Sequence, residues 1–498
     1  MPVRAAWPLA LLCGVVCSLG FDPVAIPYAM VVGVAGLIVV ARRLADARKR
    51  VVLSTGAVFG LAFMGPLIWW MNAVSNGAYV ALVLAETVFF AVVMLALRAA
   101  CRLRFWPLWG AAVWVLGETA RGSIPFSGFP WGRLAHTAID TPFAPFARLL
   151  GMPGTTAVVF VVAAMLVVLA TASTWRSRVL AVAVVAAFAG VGALLPTGVA
   201  GPSGTREVAL VQGDVPGVFL TWQRGEIFDL HVKETQRLVD RIERGEAPQP
   251  DAVLWPENAT DVDPYHDARV RNGIESLAAA LQAPILVGGI FDGPTVDTAY
   301  NAGVVWDASG PGEKYVKRKV VPYGEYVPFR GALGGLVPRF DRDIPRDMLP
   351  GAENGALRIG DFVVGDTICW DIAYDGIVRE TVDAGAQMLV VQTSNASFTG
   401  TSQPAQQWKI SRLRAIETGR WVLVPSTNGI SGIADASGHP VARAPLHQPA
   451  TLSADVTLAG GSTPALRIGG WLELLLSVLG VLGWWLGARV GRDPRRVS

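Results

Sequence analysis

Three residues whose chemistry goes beyond packing stand where short apolar runs end: Glu257 in LWPEN, Lys317 in YVKRKVVPYGEYVP and Cys369 in GDTICWD. A thiol becomes a strong nucleophile when a base takes its proton, and an oxyanion formed at an attacked carbonyl needs a positive donor beside it. A carboxylate, an ammonium and a thiol supply both. Taken singly, each has a plainer role as a loop acid, a basic surface residue or a small buried hydrophobe. They lie 60 and then 52 residues apart, so only the fold can bring them together. Cys369 closes an apolar run, and the pattern predicts a helix opening near Asp371. Its terminal N–H groups would stabilise thiolate and oxyanion alike, as at a nucleophile elbow.

The elements that must position these residues are legible from about Glu207 onward. VALVQ at Val208, AVLW at Ala252, ILVGG at Ile285, FVVGDTIC at Phe362, MLVVQ at Met388 and WVLVP at Trp421 read as buried strands. Between the first two, Phe228, Val232, Thr235, Val239 and Ile242 recur at helical spacing with charges opposite. Strands alternating with helices predict a layered α/β domain. The Pro/Gly-rich stretch from Pro196 to Gly204 predicts a hinge. The expected organisation is therefore a membrane bundle over residues 1–196, a linker over 197–204, a catalytic domain over 205–462, and a last membrane helix with a basic tail over 463–498. A second irregular stretch, Arg330 to Gly351, exposes Leu333, Leu336 and Val337 and is expected to act as a lid touching lipid.

A chain of 498 residues with 52% hydrophobic and 16% charged residues and a mean hydropathy of +0.43 is too apolar for a soluble enzyme. Runs long enough to cross about 30 Å of hydrocarbon fall near 7–20, 26–41, 51–70, 79–97, 106–119, 154–171, 178–195 and 471–488. Basic residues follow every second span: Arg42, Arg43, Arg48, Lys49 and Arg50, then Arg98, Arg102 and Arg104, then Arg176 and Arg178, then Arg489, Arg492, Arg495 and Arg496. With Arg4 at the start, this predicts cytoplasmic termini and a globular region outside the cytoplasm. Reading the first span as a cleavable signal peptide would leave that orientation unchanged. Glu86 and Glu118 fall within or beside apolar spans, where an acid either faces a wet cavity or pairs with a nearby Arg; the latter, structural reading is preferred. Arg412, Arg414, Glu417 and Arg420 are expected to form an ion-pair network on a helix. Cys13, Cys17 and Cys101 lie in or beside apolar segments, leaving Cys369 alone in the globular part and excluding a disulfide there. A net charge of +3 without a basic run interleaved with aromatics excludes a nucleic-acid partner. His136, His231, His266, His439 and His447 lack ligand spacing and no phosphate-cradling Gly-Lys loop occurs, so neither metal nor other cofactor is expected.

These residues resemble the nitrilase superfamily with its Glu-Lys-Cys triad and, within it, the membrane-bound apolipoprotein N-acyltransferases. The likeness spans almost the whole chain: SGFPW at Ser127 after Glu118 and Arg121, VQG followed by Trp222, WPE, YNA at Tyr300, K-x-x-x-VP-x-GEYVP, IC at Ile368, TSN at Thr393, RLRAIETGR at Arg412 and TNG at Thr427. The resemblance implies a polytopic helical bundle of about eight helices carrying an extracytoplasmic αββα sandwich, in the plasma membrane of a bacterium. It implies Cys369 as nucleophile, Glu257 as general base and then acid, and Lys317 as oxyanion partner. Glu325 would support the triad, Trp222, Tyr300 and Asn301 would line the site, and Trp370 and Asp371 would flank the nucleophile. The implied substrates are a phospholipid acyl donor and the N-terminal amine of a diacylglyceryl apolipoprotein. The sequence departs from the family pattern at Asp371, where Glu is usual, at Ala396, Ser397 and Phe398, where acidic and Trp residues are usual, and at Lys319, where His is common. Two other functions share the sequence features: a membrane amidase using water as acceptor, and an idle bundle that activates a polyprenol-phosphate glycosyltransferase partner.

Overall fold

A computed structural model describes residues 5–215, 222–333 and 344–490. The chain divides into two compact units, Met1–Pro196 with Thr463–Ser498, and Thr197–Ser462.

The first unit is helical. Its helices are Ala6–Ser18, Ala29–Arg43, Lys49–Leu67, Asn76–Ala100, Trp106–Arg121, Phe146–Thr171, Trp175–Leu194 and Pro464–Val490, one at each apolar run. Among the described residues, five are long and apolar enough to cross a membrane: Lys49–Leu67, Asn76–Ala100, Phe146–Thr171, Trp175–Leu194 and Pro464–Val490. The C-terminal helix packs through small residues. A Cβ at Gly487 would fall 2.0 Å from the Ala99 carbonyl oxygen, and one at Gly480 would fall 2.6 Å from that of Ala112. Glycine at these places lets backbones approach where apolar surroundings offer no hydrophobic drive for helix association. Glu86 and Glu118 are both buried and both paired. Arg121 Nη1 lies 3.2 Å from Glu86 and also donates to the carbonyls of Phe129 and Trp131, which ties the SGFPW loop to its helix. Glu118 accepts from Trp114, Thr156 and the Leu134 amide, with Arg133 at 3.4 Å. Each acid thus has the Arg partner that the structural reading expects.

In the second unit two sheets face one another. The first runs β13 (Ala450–Ala459), β1 (Pro202–Gln212), β2 (Ala252–Leu254), β3 (Ile285–Asp292), β4 (Thr298–Asp307), β5 (Gly310–Val316), with β6 (Asp347–Met348) also on β4. The second runs β12 (Pro440–Arg443), β11 (Gly432–Ala434), β10 (Val422–Val424), β9 (Met388–Gln392), β8 (Phe362–Ile368), β7 (Ala356–Ile359). β1 begins inside the stretch expected as a hinge. Helices Glu226–Glu243 and Ala268–Leu281 cover the first sheet, burying Phe228, Leu238, Val270, Ile274 and Leu277 against Val253, Trp255, Val287 and Trp306. Helices Asp375–Asp383 and Gln403–Thr418 accompany the second sheet. Parallel pairing of β1 with β2, β2 with β3, β8 with β9 and β9 with β10 aligns their carboxyl ends, the edge where α/β sheets present functional groups. Leu336 and Val337 of the expected lid lie outside the described residues; of that stretch, the short helix Arg330–Leu333 and the segment from Ile344 are described.

Candidate active site

Glu257 follows β2 by three residues, Lys317 follows β5 directly, and Cys369 follows β8 directly. Glu257 and Lys317 meet in the interior, at 4% and 1% exposure. Lys317 Nζ donates to Glu257 Oε1 at 3.0 Å and to Glu325 Oε1 at 2.8 Å. Asn301 Nδ2 donates to the same two oxygens, at 2.7 and 3.0 Å. Glu257 Oε2 takes the Ser394 amide at 2.7 Å, and Glu325 Oε2 takes the Val321 amide at 2.7 Å. Each carboxylate is thus held at both oxygens, and the buried ammonium is flanked by two opposite charges. Burial alone would favour the neutral amine of Lys317, but Glu257 and Glu325 outweigh it and keep the ammonium protonated well beyond the ordinary lysine range.

Cys369 is buried, with φ of 54°. A β-carbon in the left-handed region costs about 1–2 kcal/mol, and here it turns the chain sharply out of β8, as at a nucleophile elbow. The helix expected near Asp371 begins only at Asp375; residues Cys369–Ala373 form a single 3₁₀ turn. The reason is local. Asp371 is pulled inward rather than left to cap a helix: its carboxylate accepts from Tyr315 Oη at 2.7 Å and from the amides of Lys319 at 3.0 Å and Arg318 at 3.4 Å. Burial still pushes its acid up to about 6. Arg414, fully buried, donates to the carbonyls of Ile372 at 2.8 Å and Ala373 at 2.9 Å and bridges Asp375 and Glu417. Of the network expected from the sequence, the Arg414–Glu417 pair is present and Arg414 also grips the turn that carries the thiol, whereas Arg420 lies past the end of the helix Gln403–Thr418 and donates to the carbonyls of Ala386, Thr418 and Gly461. Trp370 lies beside it, its indole donating to the Lys319 carbonyl at 2.6 Å and its ring edge-on to Tyr374.

Burial pushes the Cys369 thiol up to about 12, and the Glu257 charge adds to this, partly offset by Lys317 and a hydrogen bond with Thr393. The resting group is a thiol. Alkylation of Cys369 by iodoacetamide, followed by peptide mass spectrometry, should therefore stay slow through neutral pH and climb about tenfold per pH unit toward that value. Because the Glu257 carboxylate disfavours the thiolate, Glu257→Gln should shift the profile to lower pH.

The remaining sequence-selected residues divide. Asn301 joins the triad, but Tyr300 packs on the helix-covered face of the first sheet, because neighbours on a strand point to opposite faces. This removes Tyr300 from the site lining. Trp222 is half-buried, and among the described residues it makes no hydrogen bond to the triad. The Ser394 amide is a member that residue types could not announce, since a backbone group has no sequence signature. His266 also has company the chain order hid: its ring approaches Asp263 at 3.3 Å and Asp292 at 3.2 Å. Asp292 already pairs with Arg346, and Asp263 already accepts the amides of Tyr265 and Asp292.

Two family models describe the chain: the apolipoprotein N-acyltransferase N-terminal domain over residues 13–165 and carbon–nitrogen hydrolase over residues 207–463. The globular unit is thus of the carbon–nitrogen hydrolase class. The apolipoprotein N-acyltransferase of Mycolicibacterium smegmatis is 36% identical over 86% of this chain and 76% of its own length, and that of Coxiella burnetii 28% identical over 92% and 95%. A solved amidase from Nesterenkonia sp. is similar at 16% identity, with a TM-score of 0.36, over 51% of this chain and 91% of that one. The chain belongs to the apolipoprotein N-acyltransferase family, a membrane acyltransferase with a nitrilase-like domain.

Proposed function

We propose that the protein transfers an acyl chain from a phospholipid to the N-terminal amine of a diacylglyceryl-cysteine lipoprotein through a thioester on Cys369. The observation that supports it most is the buried Glu257–Lys317–Glu325 cluster beside a thiol held in a strained turn, in a chain with these relatives. The thiol attacks the phospholipid ester carbonyl as Glu257 takes its proton. The tetrahedral oxyanion is met by Lys317: of three ammonium N–H groups, two are committed to Glu257 and Glu325, which leaves one to donate. Collapse breaks the ester C–O bond, and Glu257 returns the proton to the departing lysophospholipid alcohol. The α-amine of the acceptor then attacks the thioester. Glu257 relays the amine proton to the departing thiolate, and an N-acyl amide leaves with Cys369 regenerated.

In this reading Glu325 and Asn301 fix the two catalytic groups, Asp371 anchors the loop at Lys319, and Trp222 and Trp370 contribute apolar surface to the substrate. The catalytic unit faces outward from the plasma membrane and both termini lie in the cytoplasm, on the strength of the alternating basic loops. Incubating the protein with phospholipid and a synthetic diacylglyceryl-cysteine peptide should add one acyl mass to the peptide's N-terminus. Release of free fatty acid with the peptide untouched would overturn acyl transfer in favour of hydrolysis.

A further inference from the structure

Between the two sheets, three residues before Cys369, sits an acid that the proposed chemistry does not use. Asp366 on β8 is completely buried, and among the described residues neither carboxyl oxygen has a hydrogen-bond partner of good geometry, although the Thr367 amide bears on the carboxyl group. Gln392 on β9 is also completely buried, and its Oε1 is equally unpartnered while its Nε2 donates to the Trp255 carbonyl at 2.7 Å. Opposite them on β4 stands Gly303. A Cβ there would fall 2.1 Å from Asp366 Oδ2 and 2.4 Å from Gln392 Oε1, so the two oxygens are close neighbours over a position that only glycine leaves open.

Two buried acceptors facing each other without a donor is an unstable arrangement. Turning the Gln392 amide over does not repair it, because its oxygen would then face the Trp255 carbonyl. The charged groups that bear on Asp366 are Asp371 and Glu257, both acids, and the remaining titratable neighbour is the Tyr315 hydroxyl. One proton resolves every conflict. We propose that Asp366 is a neutral carboxylic acid whose O–H donates to Gln392 Oε1, completing a buried chain from β8 through Gln392 to the Trp255 carbonyl. Burial beside two acids pushes Asp366 in the same direction, well above the carboxylate range.

The chain joins the strand that ends at Cys369 to the one that leads into Glu257, and Gln392 lies two residues before the Ser394 amide that holds Glu257. Asp366 and Gln392 are therefore positioning residues, setting nucleophile against base. Neutrality also spares the thiol a further negative charge nearby.

The test uses the full-length protein in an ester-free detergent, with ¹³C-carboxyl aspartate. At pH 8 the wild type should show the infrared carbonyl stretch of a protonated aspartic acid, and Asp366→Asn should lose it. Asparagine replaces the O–H donor with N–H at the same place, so the pH profile of Cys369 alkylation should be unchanged in D366N, in contrast to the shift expected for Glu257→Gln. Absence of the protonated band, or a D366N profile displaced to lower pH, would mean an ionised Asp366 and would overturn the proposal. Should D366N fail to fold, the labelled wild type decides by its band alone. None of these readouts depends on which acyl donor or acceptor the enzyme uses.

Discussion

Replacing Cys369 with Ala should abolish the acyl adduct: after incubation with phospholipid alone, wild-type protein should carry a hydroxylamine-labile acyl group on Cys369, and C369A should carry none. Loss of a covalent nucleophile lowers turnover by on the order of 10⁶-fold, because the oxyanion donor and base that remain have no bond to stabilise. The folding consequence should be small. Alanine at φ of 54° bears much the same backbone strain as cysteine, and removing one buried sulfur costs about 1 kcal/mol. The unfolding temperature of C369A should consequently stay within a few degrees of wild type, which makes loss of the adduct interpretable. Full cellular function of C369A would instead identify the chain as a scaffold. The assembled Glu257–Lys317 pair argues against that outcome, since an idle domain has no use for a buried ammonium between two carboxylates.

What the sequence made visible follows from which interactions have a period. Apolar runs marked the eight helices of the first unit, and β-rich runs marked β1, β2, β3, β8, β9 and β10, because burial on a face or all round leaves a pattern in residue type. β4, β5 and β13 were missed along with β6, β7, β11 and β12, the last four offering too few residues for a period to show. Within the site, the motif residues Glu257, Lys317, Asn301 and Glu325 were legible and do meet. Tyr300 was misplaced because the YNA motif names neighbours, whereas a strand separates neighbours to opposite faces. The turn after Cys369 was misread as helix since its cause lies elsewhere: Tyr315 and two amides draw in Asp371, and Arg414 takes the Ile372 and Ala373 carbonyls. Asp366 escaped notice because an acid inside the run FVVGDTIC looks like a break in a buried strand. Its partner Gln392 and the glycine facing it come from other strands.

Lys317→Met should cost both activity and stability, and the two losses can be separated. Lys317 is almost wholly enclosed and bonded to Glu257 and Glu325, so its removal leaves two carboxylates sharing only the Asn301 amide. Breaking a buried pair from one side costs about 3–5 kcal/mol, since the desolvated charge that remains is uncompensated. Formation of the acyl adduct should fall by about 10²–10³-fold, the effect of losing one oxyanion donor. Adding Glu325→Gln removes one of the two stranded charges. The double variant K317M/E325Q should therefore regain much of the lost stability in denaturant unfolding while adduct formation stays low, because no cation has been returned to the oxyanion. Recovery of both together would show that Lys317 serves only to neutralise its neighbours. Recovery of neither would mean that the fold depends on the Lys317–Glu325 contact itself rather than on the balance of charge.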